Sequence, residues 1–119
     1  MVDRNALGRW GEDLAVAHLE REGYEVLARN WRCRQGELDV VARQGSALVF
    51  VEVKTRSSQD FGEPAEAVTR IKANRIRGLA GQWLVQHRPR GVEDLRFDVV
   101  AVLRRYGVPP EITHLQGAF

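Results

Sequence analysis

Two apolar, β-branched runs, Glu37–Arg43 and Leu48–Thr55, stand four residues apart, and the gap contains Gly45. Runs of this composition favour strands, and so short a gap leaves room only for a tight turn. The pair is therefore predicted to form an antiparallel hairpin. With Gln44–Ala47 as its four-residue turn, Arg43 pairs with Leu48, and counting outward sets Asp39 opposite Glu52.

The rest of the chain has to build around that hairpin. Residues 5–22 read as a helix with Leu7, Trp10, Leu14 and Ala17 along one side, Ala15, Val16 and Leu19 beside them, and Gly23 as the stop. Tyr24–Arg32 has strand composition and completes a meander. Arg56–Glu63 is polar, and Pro64 suits the first turn of a helix reaching about His87, with Val68, Ile76, Leu79 and Trp83 on one face. Leu95–Leu103 is a further strand, Arg104–Pro110 turns the chain, and a short strand follows near Ile112–Leu115. The strand at 48–55, the helix and the strand at 95–103 make a βαβ unit, whose strands lie parallel across a right-handed crossover. The order αβββαββ predicts an α/β fold, a mixed central sheet flanked by helices. No repeat, low-complexity tract or linker divides residues 1–119, so they read as a single domain.

Composition removes other classes. With 44% hydrophobic and 29% charged residues, the chain is neither disordered nor fibrous. The single Cys33 allows no internal disulfide and no cysteine-based zinc cluster. The first twenty residues hold six charged side chains and no unbroken apolar run, and no span is long enough to cross a bilayer. No signal peptide and no membrane partner are expected, and the location implied is a reducing cytoplasm. Net charge is +2, and 16 of the 18 basic residues are Arg. Residues 70–105 carry nine basic side chains against three acidic, a distribution suited to phosphates or to a solvated basic helix face.

The hairpin also carries the chemistry. Side chains alternate along a strand, so Glu52 and Lys54 share a face with Leu48 and Phe50, and that face turns from apolar to ionic. Opposed carboxylates at Asp39 and Glu52 repel unless one is protonated or a cation lies between them. A hard divalent ion such as Mg²⁺, or Mn²⁺ in its place, takes carboxylate oxygens and keeps several waters, which leaves positions for a substrate phosphate. Lys54 is a compact point charge in a chain that otherwise favours Arg, suited to a phosphate oxygen or a water. Singly, Glu52 and Lys54 read as a same-face ion pair and Asp39 as a solvated strand end. Together, three ionic groups interrupt the most apolar segments where they converge.

Glu12 heads the line Ala15, Val16 and Leu19, and is either a further metal ligand or an acid suited to an early helical turn. Glu37 shares the face of Asp39, for a second metal or for solvent. Arg56 and Lys72 are candidate nucleic-acid-binding groups, with Lys72 either reaching the site or snorkelling. Trp31, among Arg29, Arg32 and Arg34, is a core residue in the simpler reading and a base-stacking one in the other. His18, His87 and His114 lack ligand spacing and read as structural or solvated. Asp98, in an apolar strand, reads as a hydrogen-bonded support for a nearby cation without an assigned role.

Asp39 followed after twelve residues by Glu52-Val53-Lys54 resembles the Asp…Glu-x-Lys signature of the PD-(D/E)XK, or restriction-endonuclease-like, superfamily. The wider pattern resembles the YraN family of bacterial endonuclease-like proteins. It comprises Gly11-Glu12, Gly23-Tyr24, Arg29-Asn30-Trp31, Gly36-Glu37-Leu38-Asp39, Phe50 through Arg56, Lys72, Arg96-Phe97-Asp98 and Ala118-Phe119. The resemblance implies the superfamily's αβββαβ sheet and Mg²⁺-dependent hydrolysis of phosphodiester bonds. It implies Asp39 and Glu52 as metal-binding acids, Lys54 as the catalytic lysine and Glu12 as the first-helix acid of the Holliday junction resolvase branch. Leu38 stands where the superfamily name has Pro.

The leading expectation is therefore a metal-dependent endonuclease, a deoxyribonuclease acting on branched or otherwise structured DNA. The alternatives are a nucleic-acid-binding module or assembly partner that does not cut, and an RNA or nucleotide phosphohydrolase. So short a chain has no separate recognition domain for strong sequence specificity, and a homodimer would supply two sites for two strands.

Overall fold

The hairpin is the centre of the molecule. In the computed structural model, which describes residues 4–57 and 68–119, five strands form one sheet in the order β1-β2-β3-β4-β5. The strands are β1 (Glu25–Cys33), β2 (Gly36–Gln44), β3 (Ala47–Ser57), β4 (Asp94–Arg104) and β5 (Glu111–Leu115). The helices are α1 (Arg4–Arg21), before β1, and α2 (Arg70–His87), between β3 and β4. β1, β2 and β3 are an antiparallel meander, β3 and β4 are parallel, and β5 returns antiparallel to β4. The fold is α/β with a mixed sheet, in the expected element order. Among the described residues, no helix is long and apolar enough to cross a membrane.

The turn is as counted. Gln44 pairs with Ala47, Arg43 with Leu48, and the register runs to Val40 opposite Val51. Gly45 takes φ 61°, a left-handed conformation that L-residues reach at a cost.

Each face of the sheet is covered by a helix. On one side Ala15, Val16 and Leu19 of α1 pack with Val40, Ala42, Val49, Val51, Val100 and Val102. On the other, Ile76, Leu79, Ala80 and Trp83 of α2 pack with Leu38, Val41, Leu48 and Phe50. Val68, placed on the helix face from sequence, precedes α2 but joins that core. Trp31 packs against it too, the core reading of that residue. Ala17, expected on the apolar side of α1, is exposed.

α2 starts later than the proline suggests. Thr69 caps it, its hydroxyl accepting from the Lys72 N–H at 3.2 Å. Pro64, with the predicted first turn, lies outside the described residues.

Gly11 fixes how closely α1 meets the sheet. A Cβ there would stand 2.8 Å from Cβ of Thr55 on β3, well inside van der Waals contact. Gly11→Ala gains roughly 1 kcal/mol of helix propensity, but the overlap with a central strand costs about 1–3 kcal/mol. The expected result is a net loss of stability in urea unfolding; an unchanged or raised midpoint would show that α1 is free to lift.

Candidate functional site

The alternation of β1 and β2 breaks twice, at the register shift between Val26 and Ala28 and again at Asn30 and Asp39, and the second break builds the site. Leu38 and Val41 pack into the same core beneath α2, as do Ala28 and Trp31, although residues three apart in a regular strand face opposite ways. Between them lie Asn30, at φ 52°, and Asp39, and neither has a partner in the β1–β2 ladder, which passes from Arg29–Val40 to Trp31–Leu38. Asn is the side chain that, after Gly, most readily enters the left-handed region.

Freed from the ladder, Asp39 turns toward α1 and lines a cleft of about 920 Å³. Asn5, Leu7, Gly8, Arg9 and Glu12 form one wall, and Asn30, Arg32, Glu37, Asp39, Val53, Lys54, Thr55 and Arg56 complete it. Asp39 Oδ2 accepts the Val53 N–H at 2.9 Å, so the carboxylate occupies the gap where β2 and β3 part. Glu52 meets it there. Burial raises the Asp39 carboxyl first, the Glu52 charge and a hydrogen bond to Glu52 raise it further, and Glu12 adds to the effect. The Val53 N–H opposes them, and the outcome is a pKa pushed up to about 7.

Glu52 itself is buried, at 8% exposure, and forms an ion pair with Lys72 of α2. Lys72 thus reaches the site instead of snorkelling away. Lys54 borders the cleft, and among the described residues no hydrogen bond or ion pair engages its ammonium. Glu37 pairs with Arg32 at 2.7 Å, both on the cleft wall, and Arg56 lies beside Lys54.

Glu12 is held from β1. Its Oε1 accepts from both Arg29 Nε at 3.1 Å and Asn30 Nδ2 at 2.8 Å, while Arg29 also reaches Asp13 at 2.6 Å. Among the described residues, no three His, Cys, Asp or Glu side chains are grouped to hold a metal. Asp39 and Glu52 are brought together; Glu12 acts on Asp39 through its charge and does not complete a three-carboxylate cluster. The donor set that fits a hard divalent cation is consequently the Asp39–Glu52 pair, with water in the other positions.

Arg29 and Asn30 are site residues to which the sequence assigned no role. An Asn flanked by strand-forming residues was the available signal. Asp98 belongs elsewhere. It is fully buried in β4, held by Arg96, by His114 Nε2 at 2.7 Å and by the Gly117 N–H at 2.9 Å. Arg96 also donates to the Tyr24 hydroxyl at 2.6 Å, and none of these groups lines the cleft. Of the other histidines, His87 stacks on Trp83 at 4.2 Å between ring centres, and His18 lies edge-on to His114.

Comparison with known sequences gives one consistent result. The family described as "Uncharacterised protein family UPF0102" matches residues 11–102. The chain is 55% identical over 117 residues to a UPF0102 protein of Beutenbergia cavernae, covering 98% of each chain. It is 53% identical over 119 residues to one of Frankia casuarinae, and 50% identical over 119 residues to one of Rhodococcus opacus, covering the whole of each chain.

Proposed function

The chain belongs to the UPF0102 family, and from the chemistry of its cleft we propose that it is a metal-dependent endonuclease hydrolysing phosphodiester bonds of DNA. One observation carries the reading: Asp39 meets Glu52 at a cleft that Lys54 borders, and among the described residues no hydrogen bond or ion pair engages the Lys54 ammonium. Repelling carboxylates in a half-buried gap call for a cation, and the adjoining Arg9, Lys54 and Arg56 suit a substrate bearing phosphates. The αβββαββ order, with Asp39 and Glu52-x-Lys54 on neighbouring strands, supports a restriction-endonuclease-like assignment.

In this reading Asp39 and Glu52 hold Mg²⁺ or Mn²⁺. Such an ion supplies a lowered water pKa and positive charge at the phosphate when bound. Lys72 neutralises part of the Glu52 charge, and the Val53 N–H fixes the orientation of Asp39. Lys54 orients the attacking water or offsets charge growing on the phosphate oxygens. Glu12, held by Arg29 and Asn30, adds negative potential that favours a cation in the cleft.

The test is cleavage of labelled four-way junction, flap, duplex and single-stranded DNA, and of RNA, with Mg²⁺ or Mn²⁺ and with EDTA. Metal-dependent cutting of DNA is expected, and Lys54→Ala should lower it roughly 10²–10³-fold with the fold retained, as loss of one preorganised charge does. Binding without cutting on every substrate would favour a non-cleaving nucleic-acid-binding module. Preference for RNA would favour a ribonuclease.

A further inference from the structure

A second pocket, of about 390 Å³, lies on the other side of the first turns of α1, lined by Ala6, Leu7, Trp10, Arg104, Arg105, Val108 and Pro110. Leu7 lines both this pocket and the Asp39 cleft, so the two adjoin across the width of one helix. Resting on the nuclease reading, we propose that this pocket seats one unpaired nucleotide of the strand whose backbone enters the cleft.

The lining has the two chemistries such an occupant needs. Leu7, Trp10, Val108 and Pro110 line it with apolar surface, the Arg104 guanidinium over the Trp10 ring gives a base a planar cation to stack on, and Arg105 offers a guanidinium to an adjoining phosphate. Among the described residues, no acidic side chain lines the pocket. Glu111 lies 3.9 Å from Arg105, too far for a strong pairing.

Both arginines are already placed. The Arg104 guanidinium lies over the Trp10 ring, 6.0 Å from its centre, and Arg105 donates to the Pro109 carbonyl at 3.1 Å. They stand at the end of β4 and the start of the turn to β5, a connection that also carries Tyr106 at 89% exposure. A large aromatic left in solvent beside two arginines is suited to stacking on a further base.

The size selects the state of the nucleic acid. About 390 Å³ is room for one nucleotide, and a stacked, paired base has neither a free face nor a free Watson–Crick edge to offer it. The substrate class is therefore DNA with an unpaired segment next to the cut, such as a single-stranded tail, flap or junction arm.

The experiment measures binding by fluorescence anisotropy, using Asp39→Asn protein with Mg²⁺ so that no cleavage intervenes. The probes are a blunt duplex, the same duplex with a single-stranded tail, and the single strand. The tailed duplex should bind about tenfold tighter than the blunt one, the size expected of one stacked base. Arg104→Glu with Arg105→Glu should remove that preference, and Trp10→Leu, which keeps an apolar residue on α1, should reduce it with the circular dichroism unchanged. Equal affinity for tailed and blunt DNA would overturn the proposal, as would arginine variants that weaken both equally. The nuclease reading fails separately: wild-type protein that cuts nothing yet retains the tail preference would support the seat and refute the cleavage.

Discussion

Asp39→Asn should leave the protein folded, more stable at pH 8 and, if Asp39 is a ligand to the proposed catalytic cation, at least about 10³-fold less active in the proposed cleavage of DNA. The two effects share one cause. Without metal, ionised Asp39 is buried against Glu52, and its pKa is raised to about 7. A raised carboxylate binds its proton more tightly in the folded chain, so its contribution to stability is fully present below the unfolded pKa, about 3.9, and is lost as pH rises through about 7. Across that window the metal-free protein should lose on the order of 2–4 kcal/mol. Asn removes the charge, and the fall with pH should largely disappear. Urea unfolding at pH 5 and pH 8 in EDTA checks it. An Asn variant less stable than wild type at pH 8 would mean that the Val53 hydrogen bond outweighs the repulsion.

The largest loss of stability is expected from Asp98→Ala. Asp98 is fully buried, and burial alone would raise its carboxyl. Hydrogen bonds from His114, Arg96 and the Gly117 N–H outweigh that cost and hold it below the ordinary carboxylate value. Removing the carboxylate strands Arg96 and His114 and unties the segment after β5, at a cost of about 3–5 kcal/mol. Asp98→Asn keeps the shape and part of the bonding and should cost less. Because this pKa is lowered, the stability it confers is present above the unfolded pKa of about 3.9 and is lost as pH falls further, opposite in sense to Asp39. Wild-type activity per folded molecule in Asp98→Asn would support a purely structural role, since the network does not line the cleft. A melting temperature equal to wild type for Asp98→Ala would contradict this account.

That Asp39 and Glu52 meet was legible because strand geometry is regular as far as Val40 opposite Val51, although the ladder stops short of pairing the two acids directly. A tight turn containing Gly45 fixes Arg43 against Leu48, and the two-residue period carries that register toward Asp39 and Glu52. What counting did not reach is the place where the period fails. Asn30 in the left-handed region and the broken alternation at Asp39 turn that carboxylate into the cleft, and no local pattern distinguishes such an Asn from one in a turn. Glu12 was found from its helical position, but its two donors come from residues 17 and 18 positions away on another element. The start of α2 at Thr69 was missed because Pro64 looked like a first-turn residue, whereas the cap is a side-chain hydroxyl five residues later.

Asp39 and Glu52 are proposed to hold a divalent cation between them. Calorimetric titration of the metal-free chain with Mn²⁺ at pH 8 tests it most directly, with Asp39→Asn and Glu52→Gln titrated alongside. Saturable binding to wild type is expected, accompanied by a rise in melting temperature, with affinity at least about tenfold weaker in either variant. No binding to wild type, or equal binding to all three proteins, would contradict it.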